Sequence, residues 1–264
     1  MHWILQNNIY SEEGWDKLVT ALDRLGISYS VHKYLPFVGT LDPDPTPPPG
    51  KVIVMGSYTL AREAQKRGWE PGVFLNDNFD FEKQQPHWKG LMINGSAWVG
   101  PFSEVPVQID PFFIRPTEDS KAFTGFVTDW PSFTEWRAKV MQIEQYTEQL
   151  KPHTRVMVCP KKDIAREYRC WIVDEKVVTA SLYKTGTRKH YQECTEQRII
   201  EFAEECARVW SPCRAYVLDV FQTHYPAYAN KYGDLFIGEV NNLNSAGFYA
   251  ADMQKLIIAL ESMT

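Results

Sequence analysis

Three apolar, strand-like runs in this chain carry a charge inside or at the end of the run, and a fold must first accommodate these: Arg169 in EYRCWIV, Asp219 in YVLDVF and Glu239 in LFIGEVN. Removing one partner from a buried ion pair costs about 3–5 kcal/mol, a large share of a domain's net stability. The fold must therefore bring these residues to one another or to a ligand. Side chains alternate along a strand, so Arg169 shares a face with Trp171 and Val173, and Glu239 shares one with Asn241. Asp219, Glu239 and Asn241 offer two carboxylates and an amide oxygen. Hard oxygen ligands of this kind suit Mg2+ held jointly with nucleotide phosphates and do not suit zinc. The plain alternative is a pair of strand acids facing solvent.

Two further basic pairs invite the same question. In FIRPTEDSKAFTGFV a strand ends at Arg115-Pro116, a turn passes through Ser120, Lys121 and Gly125, and a second strand begins. Turn amides and two cations suit a polyphosphate; a surface hairpin with an incidental ion pair is the alternative. Glu167 and Arg169 lie on one predicted strand and Lys184 on the returning segment. Arg169 and Lys184 reaching one site would serve a transferring phosphoryl group, whereas an ordinary cross-strand pair of Glu167 with Lys184 needs no ligand. The cluster KTGTRKH, Lys184 to His190, reads as a polar loop, either solvated or part of a funnel for an anionic substrate. The Asn-rich stretch after Asn241, with Ser245 and Gly247, reads as a turn shaped around a ligand. No GxxxxGK[ST] loop, GxGxxG turn, HExxH pair or GxSxG elbow occurs.

The 264 residues suffice for one large domain or two modest ones. Strand and helix signals alternate at first. A strand opens at His2–Leu5, and a helix after Ser11 carries Trp15, Leu18, Val19, Leu22 and Leu25 at helical spacing before Gly26. A strand at Ile27–His32, a proline loop at Leu41–Gly50, a buried strand at Lys51–Met55 and a helix at Leu60–Lys66 complete a small α/β unit. From Phe74 to Pro106 aromatics, glycines and prolines interleave without periodicity, which reads as a connecting region with short strands. Beyond Gln108 the pattern becomes α+β. Strands are expected at Phe112–Arg115, Arg155–Cys159, Ala215–Phe221 and Leu235–Val240, and a hairpin turns at Asp174-Glu175. Helices are expected within Asp129–Leu150, at Thr195–Trp210 and at Ala250–Met263. The division this implies is an N-terminal α/β domain over 1–106 and a catalytic region over 107–264. Five cysteines without a Cys-x-x-Cys pair point to reduced thiols in a cytoplasmic setting. A net charge of −5 disfavours a broad nucleic-acid surface. No apolar run approaches the roughly 18 residues of a membrane span, and the N-terminus lacks a signal-peptide pattern.

The order of these groups resembles the ATP-grasp superfamily, from about Phe112 to Tyr249. The features carrying the resemblance are Arg115-Pro116, the Ser120-Lys121 and Gly125 loop, Val158–Pro160, Glu167-Tyr168-Arg169, Asp219, and Glu239-Val240-Asn241. Arg115 in place of the usual lysine, and a loop with a single glycine, are similar to a clade common in phages and bacteria that is named for two arginines and a lysine. The resemblance implies an N-terminal pre-grasp domain followed by two α+β subdomains with the nucleotide between their sheets. It implies that Arg115 and Lys121 meet the phosphates, and that Val158, Cys159 and Pro160 form the adenine hinge, with Asp163 a candidate ribose contact. Asp219, Glu239 and Asn241 would hold Mg2+, Arg169, Lys184 and Arg115 would serve the chemistry, and Asn244, Ser245 and Lys184 would position a substrate.

The activity implied is that of an ATP- and Mg2+-dependent carboxylate–amine ligase, in which phosphorylation of a carboxylate gives an acyl phosphate that an amine converts to an amide. The partners are then ATP and a small-molecule or peptide substrate pair, with neither membrane nor nucleic acid. A kinase stopping after phosphorylation, and a nucleotide-binding protein without turnover, are the alternatives this reasoning carries.

Overall fold

The computed structural model describes residues 1–8, 12–35, 38–74, 80–118, 122–142, 150–224 and 232–263. The chain opens with strand β1 (His2–Gln6), helix α1 (Glu12–Leu25), strands β2 (Tyr29–Leu35), β3 (Thr40–Asp42) and β4 (Val52–Met55), helix α2 (Tyr58–Lys66) and a short strand β5 (Pro71–Gly72). These strands form one sheet in the order β3-β2-β1-β4-β5. β1 runs parallel to both β2 and β4, and β3 returns antiparallel at the edge. Parallel strands joined by helices are covered on both faces, which explains why Val52–Met55 is apolar at every position. Ile4, Val52 and Val54 face Leu60, Ala61 and Ala64 of α2. Gly26, at φ +65°, closes α1 in the left-handed conformation that glycine adopts without strain.

Next come helix α3 (Phe81–Trp88), strands β6 (Trp98–Pro101), β7 (Phe112–Pro116) and β8 (Phe126–Thr128), helix α4 (Trp130–Gln142) and strand β9 (Arg155–Pro160). The sheet order is β6-β9-β7-β8. Its core joins Phe102, Phe112, Ile114, Phe133, Val156 and Val158. Helix α3 corrects the expectation of short strands alone between Phe74 and Pro106. Pro86 within it and the interleaved aromatics hide the helical period, while Asp80 caps its start by accepting from the Glu82 amide at 2.9 Å.

The third stretch contains β10 (Ile164–Val173), β11 (Lys176–Thr185), β12 (Arg188–Glu193), helix α5 (Gln197–Val209), β13 (Ala215–Thr223), β14 (Leu235–Asn241), a 3-10 turn at Leu243–Ser245 and helix α6 (Met253–Glu261). The order is β12-β11-β10-β13-β14. Asp174 and Glu175 turn the β10–β11 hairpin with both φ angles positive, as a two-residue turn between twisted strands requires. The cluster expected as a polar loop around His190 is instead the end of β11, a turn at Gly186, and strand β12. Its exposure concealed the strand, because all six residues of β12 face solvent and the alternation of a half-buried strand is absent.

The chain divides into two compact units: Met1–Asn76 with Arg166–Val220 and Glu239–Thr264, and Asp77–Ala165 with Phe221–Gly238. Within the first, Trp3, Leu5, Ile53 and Met55 of the N-terminal strands share a core with Leu18 and Leu22 of α1, Trp171 of β10, Val217 of β13 and Leu256 and Leu260 of α6. Among the described residues no helix is long and apolar enough to cross a membrane.

A small polar chain runs along the N-terminal sheet. His32 Nδ1 lies 2.6 Å from the Pro43 carbonyl, which only accepts, so this nitrogen carries the proton. In the neutral ring, His32 Nε2 then accepts from the Ser30 hydroxyl at 2.7 Å, and Ser30 in turn accepts from His2 Nε2 at 2.9 Å. Burial, and after it the charge of His32 and of the N-terminus, lower the pKa of His2 below its usual 6.5. The unfolded chain therefore binds a proton on His2 at a higher pH than the folded chain does. The stability contributed is fully present above about pH 6.5 and is lost as pH falls through that value toward the folded pKa. Urea midpoints between pH 5 and 8 should decline more steeply on the acid side for the native chain than for His2→Gln.

Candidate active site

The charged residues planted in the apolar strands meet in the first unit. Arg169 on β10 is 8 % exposed and Asp219 on β13 is 1 % exposed. Arg169 Nε and Nη2 donate to the two Asp219 oxygens, each at 2.8 Å, in a side-on bidentate pair. Arg169 Nη1 donates to the Gly247 carbonyl at 3.3 Å, and Asn241 Nδ2 donates to Asp219 Oδ2 at 3.2 Å. The guanidinium also lies over the Tyr249 ring, 4.6 Å from its centroid, and 5.5 Å from that of Tyr183. Burial works against the arginine's charge, but the Asp219 carboxylate and its paired hydrogen bonds outweigh it, so the pKa of Arg169 is raised.

Beside this pair, Glu167 accepts from Lys184 Nζ through one oxygen and from the Tyr183 hydroxyl at 2.8 Å through the other. The two residues of the ion pair are direct cross-strand neighbours. The cross-strand pairing that the sequence left open is therefore present, and it places Lys184 next to Arg169's own strand. Burial, reinforced by the charges of Asp219 and Glu167, raises the pKa of Tyr183 and keeps its hydroxyl a donor.

Sequence reasoning missed the tyrosines. Tyr249 stacks on Tyr183 at 4.9 Å and 19°, and on Tyr191 at 4.8 Å and 21°. Its φ of 49° is the left-handed conformation that a bulky residue rarely takes, and such outliers cluster at functional sites. The only hint in the sequence is its position at the end of the Asn-rich turn.

That turn is built differently from expectation. Asn244 is 1 % exposed and its amide is spent on backbone: Nδ2 donates to the Val54 carbonyl at 2.6 Å and Oδ1 accepts from the Phe74 amide at 3.0 Å. Its own backbone amide is held by Asn242 Oδ1 at 2.8 Å. Asn244 thus ties the turn to β4, and the expected substrate contact does not fit a side chain committed in this way. Ser245 is half-buried in the same 3-10 turn.

The oxygen set was tested against Mg2+. A carboxylate offers about four lone-pair positions, and Asp219 uses three on Arg169 and Asn241. Asn241 donates its N–H, which leaves its Oδ1 to accept. Glu239 is exposed two residues before it on β14. Among the described residues no three His, Cys, Asp or Glu side chains gather as a metal group. The set fits a hard cation completed by other oxygens, with Glu239 and Asn241 as its main protein ligands.

The remaining predicted residues lie in the second unit. Arg115 is half-buried on β7 opposite Met157 and lies over the Phe81 ring at 5.7 Å. A Cβ at Gly125 would come within 2.9 Å of the Arg115 Cβ and 2.8 Å of the Phe113 ring, so this glycine lets the loop lie against β7. Val158 and Cys159 are buried at the end of β9, and Pro160 is exposed. Cys159 Sγ donates to Asn94 Oδ1 at 3.0 Å, and burial pushes the thiol up to about 11, against the pull of Lys162 and Arg115. Asp163 is exposed, 3.7 Å from Lys161. Ser120 and Lys121 lie outside the described residues.

A family model described as an ATP-grasp domain, family 3 of the clade named for two arginines and a lysine, matches residues 40–260. No curated protein sequence matches the chain. Among solved structures the fold is similar to that of the D-cycloserine synthetase DcsG, with a TM-score of 0.59 and 13 % identity over 98 % of both chains. It is similar to the D-alanine–D-alanine ligase from Bacillus anthracis complexed with ATP, with a TM-score of 0.60 and 10 % identity over 99 % of this chain and 96 % of that one. It is also similar to the ATP-grasp ligase PsnB complexed with minimal precursor, with a TM-score of 0.59 and 13 % identity over 100 % of this chain and 99 % of that one.

Removing one member of a buried charge pair strands the other. Arg169→Met should lower unfolding stability by about 3–5 kcal/mol, whereas the double change Arg169→Met with Asp219→Leu should cost much less. Urea denaturation of both variants checks this, and equal losses would mean that Asp219 finds another partner.

Proposed function

Because this chain belongs to the ATP-grasp family whose model spans residues 40–260, we propose that it is a Mg-ATP-dependent ligase that joins a carboxylate to an amine through an acyl phosphate. The observation that carries this reading is the state of Arg169. A guanidinium has five N–H donors. Two are spent on Asp219 and one on Gly247, which leaves two for an anion brought to the site. The residue is buried, pinned on three sides and unable to lose its charge. Donors preorganised in this way stabilise the charge of a transferring phosphoryl group without reorganising during the reaction.

The roles follow from position. Glu239 and Asn241, with the remaining lone pair of Asp219, hold Mg2+. Bound there, Mg2+ neutralises the nucleotide's phosphate oxygens. Arg115 and Lys121 serve the nucleotide phosphates, Val158, Cys159 and Pro160 serve the base, and Asp163 serves the ribose. Arg169 holds the phosphoryl oxygens as the substrate carboxylate attacks phosphorus and the bond to ADP breaks. The amine nitrogen then bonds to the acyl carbon, phosphate leaves with the C–O bond, and the amine loses a proton. Lys184, oriented by Glu167, and Ser245 lie where the carboxylate must be steered. The stack of Tyr183 and Tyr249 over Arg169 keeps water from the acyl phosphate.

Two measurements test this. Titration calorimetry of a non-hydrolysable ATP analogue should show Mg-dependent binding to the native chain that Glu239→Ala weakens at least about tenfold. Incubation with Mg-ATP, a panel of carboxylates and hydroxylamine should release ADP with formation of a hydroxamate, since hydroxylamine captures an acyl phosphate. ADP release with a phosphorylated alcohol and no hydroxamate would make the chain a kinase. Absence of nucleotide binding by the folded chain would sink the reading.

A further inference from the structure

The basic cluster Arg188, Lys189 and His190 has no part in the site described above, yet the fold places it on an unusual element. It forms the start of β12, the outermost strand of the sheet β12-β11-β10-β13-β14. β12 pairs with β11 alone, so among the described residues nothing pairs with its outer edge. An edge of this kind presents a row of backbone N–H and C=O groups to any extended chain. Six residues at about 3.3 Å each give an edge about 20 Å long.

Charge distinguishes this edge from a merely guarded one. Lys189 lies directly opposite Lys184 on β11, and like charges in that position destabilise a hairpin. Arg188 lies beside them, and none of Arg188, Lys189 and His190 has an ion-pair partner among the described residues, in a chain whose net charge is −5. An anion would relieve the repulsion. Tyr191, the next residue along the strand, is 49 % exposed and stacks on Tyr249, whose ring lies over Arg169. The edge therefore leads from the cationic end to the aromatic cover of the buried guanidinium.

We propose that β12 is a docking edge for an extended acidic peptide, which adds to the sheet as a further strand with its carboxylates over Arg188, Lys189 and His190. The free backbone edge selects a polypeptide, because main-chain pairing supplies the affinity in strand addition and a nucleic acid has no equivalent groups. The cations select acidic side chains. That the docked peptide also supplies the carboxylate to be activated rests on the ligase reading; the docking does not.

Fluorescence anisotropy of the full chain with a fluorescein-labelled octapeptide of alternating Glu and Val tests the proposal. The peptide should bind in a salt-sensitive manner, and the double change Arg188→Glu with Lys189→Glu should weaken it at least about tenfold. The same peptide N-methylated at alternate residues should lose binding, since it cannot complete the ladder. Four results would overturn the proposal: no binding, equal binding of the N-methylated peptide, stronger binding of an eight-nucleotide oligothymidylate, or a chain dimer that the double change dissociates. Circular dichroism of the double variant confirms that it is folded, and both substituted residues are exposed on the edge. Peptide binding without Mg-dependent nucleotide binding would uphold the docking and remove only the ligase reading. Nucleotide binding without peptide binding would do the reverse.

Discussion

Arg169 and Asp219 neutralise each other inside a sheet that could not otherwise contain either. Their paired hydrogen bonds span adjacent strands, so the register of β10 against β13 and the electrostatics of the site are settled by the same contact. Other features depend on it. Asn241 is oriented by its bond to Asp219, the Gly247 carbonyl is held by Arg169, and Tyr249 is held over the guanidinium in a backbone conformation that a tyrosine rarely tolerates. A strained residue persists when its surroundings over-determine it, and here a ring stack on either partner does so.

A second constraint keeps the site at the end of a firm scaffold. Asn244 uses its side chain to bond backbone from β4 and from residue 74, which joins the turn after β14 to the N-terminal sheet. Leaving one such buried group unpaired costs about 1–3 kcal/mol, so the turn is not free to drift. Beneath it, residues from β1, α1, β10, β13 and α6 share one core. Segments distant in sequence must therefore meet before this unit is stable, since Trp3 and Leu5 complete their burial against residues that lie beyond 170.

The solved structures that share this fold are only 10–13 % identical to the chain in the cases compared. The fold is common to ligases with different substrates, and specificity must come from residues particular to this chain. The tyrosine stack and the cationic edge strand are two such features, and both lie on the β11–β12 side of the buried pair.

Much of the architecture could be read from the chain. The apolar run Val52–Met55, the helical spacing of α1 and the turn at Asp174-Glu175 follow from local periodicity and turn chemistry, which are properties of a few consecutive residues. The charges in apolar strands announced a site for the same reason, because a buried charge must be answered wherever it occurs. The rest was decided between distant segments. Helix α3 was hidden by Pro86 and by aromatics whose burial serves tertiary packing, and β12 was hidden because an exposed strand has no alternation to read. That Asn244 would be spent on backbone 170 and more residues away, and that Tyr183, Tyr191 and Tyr249 would stack, was not visible in sequence order. The sequence by itself determined which residues could not be left alone in an apolar interior, since that is chemistry of the side chain. The tertiary structure alone decided which partner each would have, since partners are set by the packing of strands that the chain brings together only when it is folded.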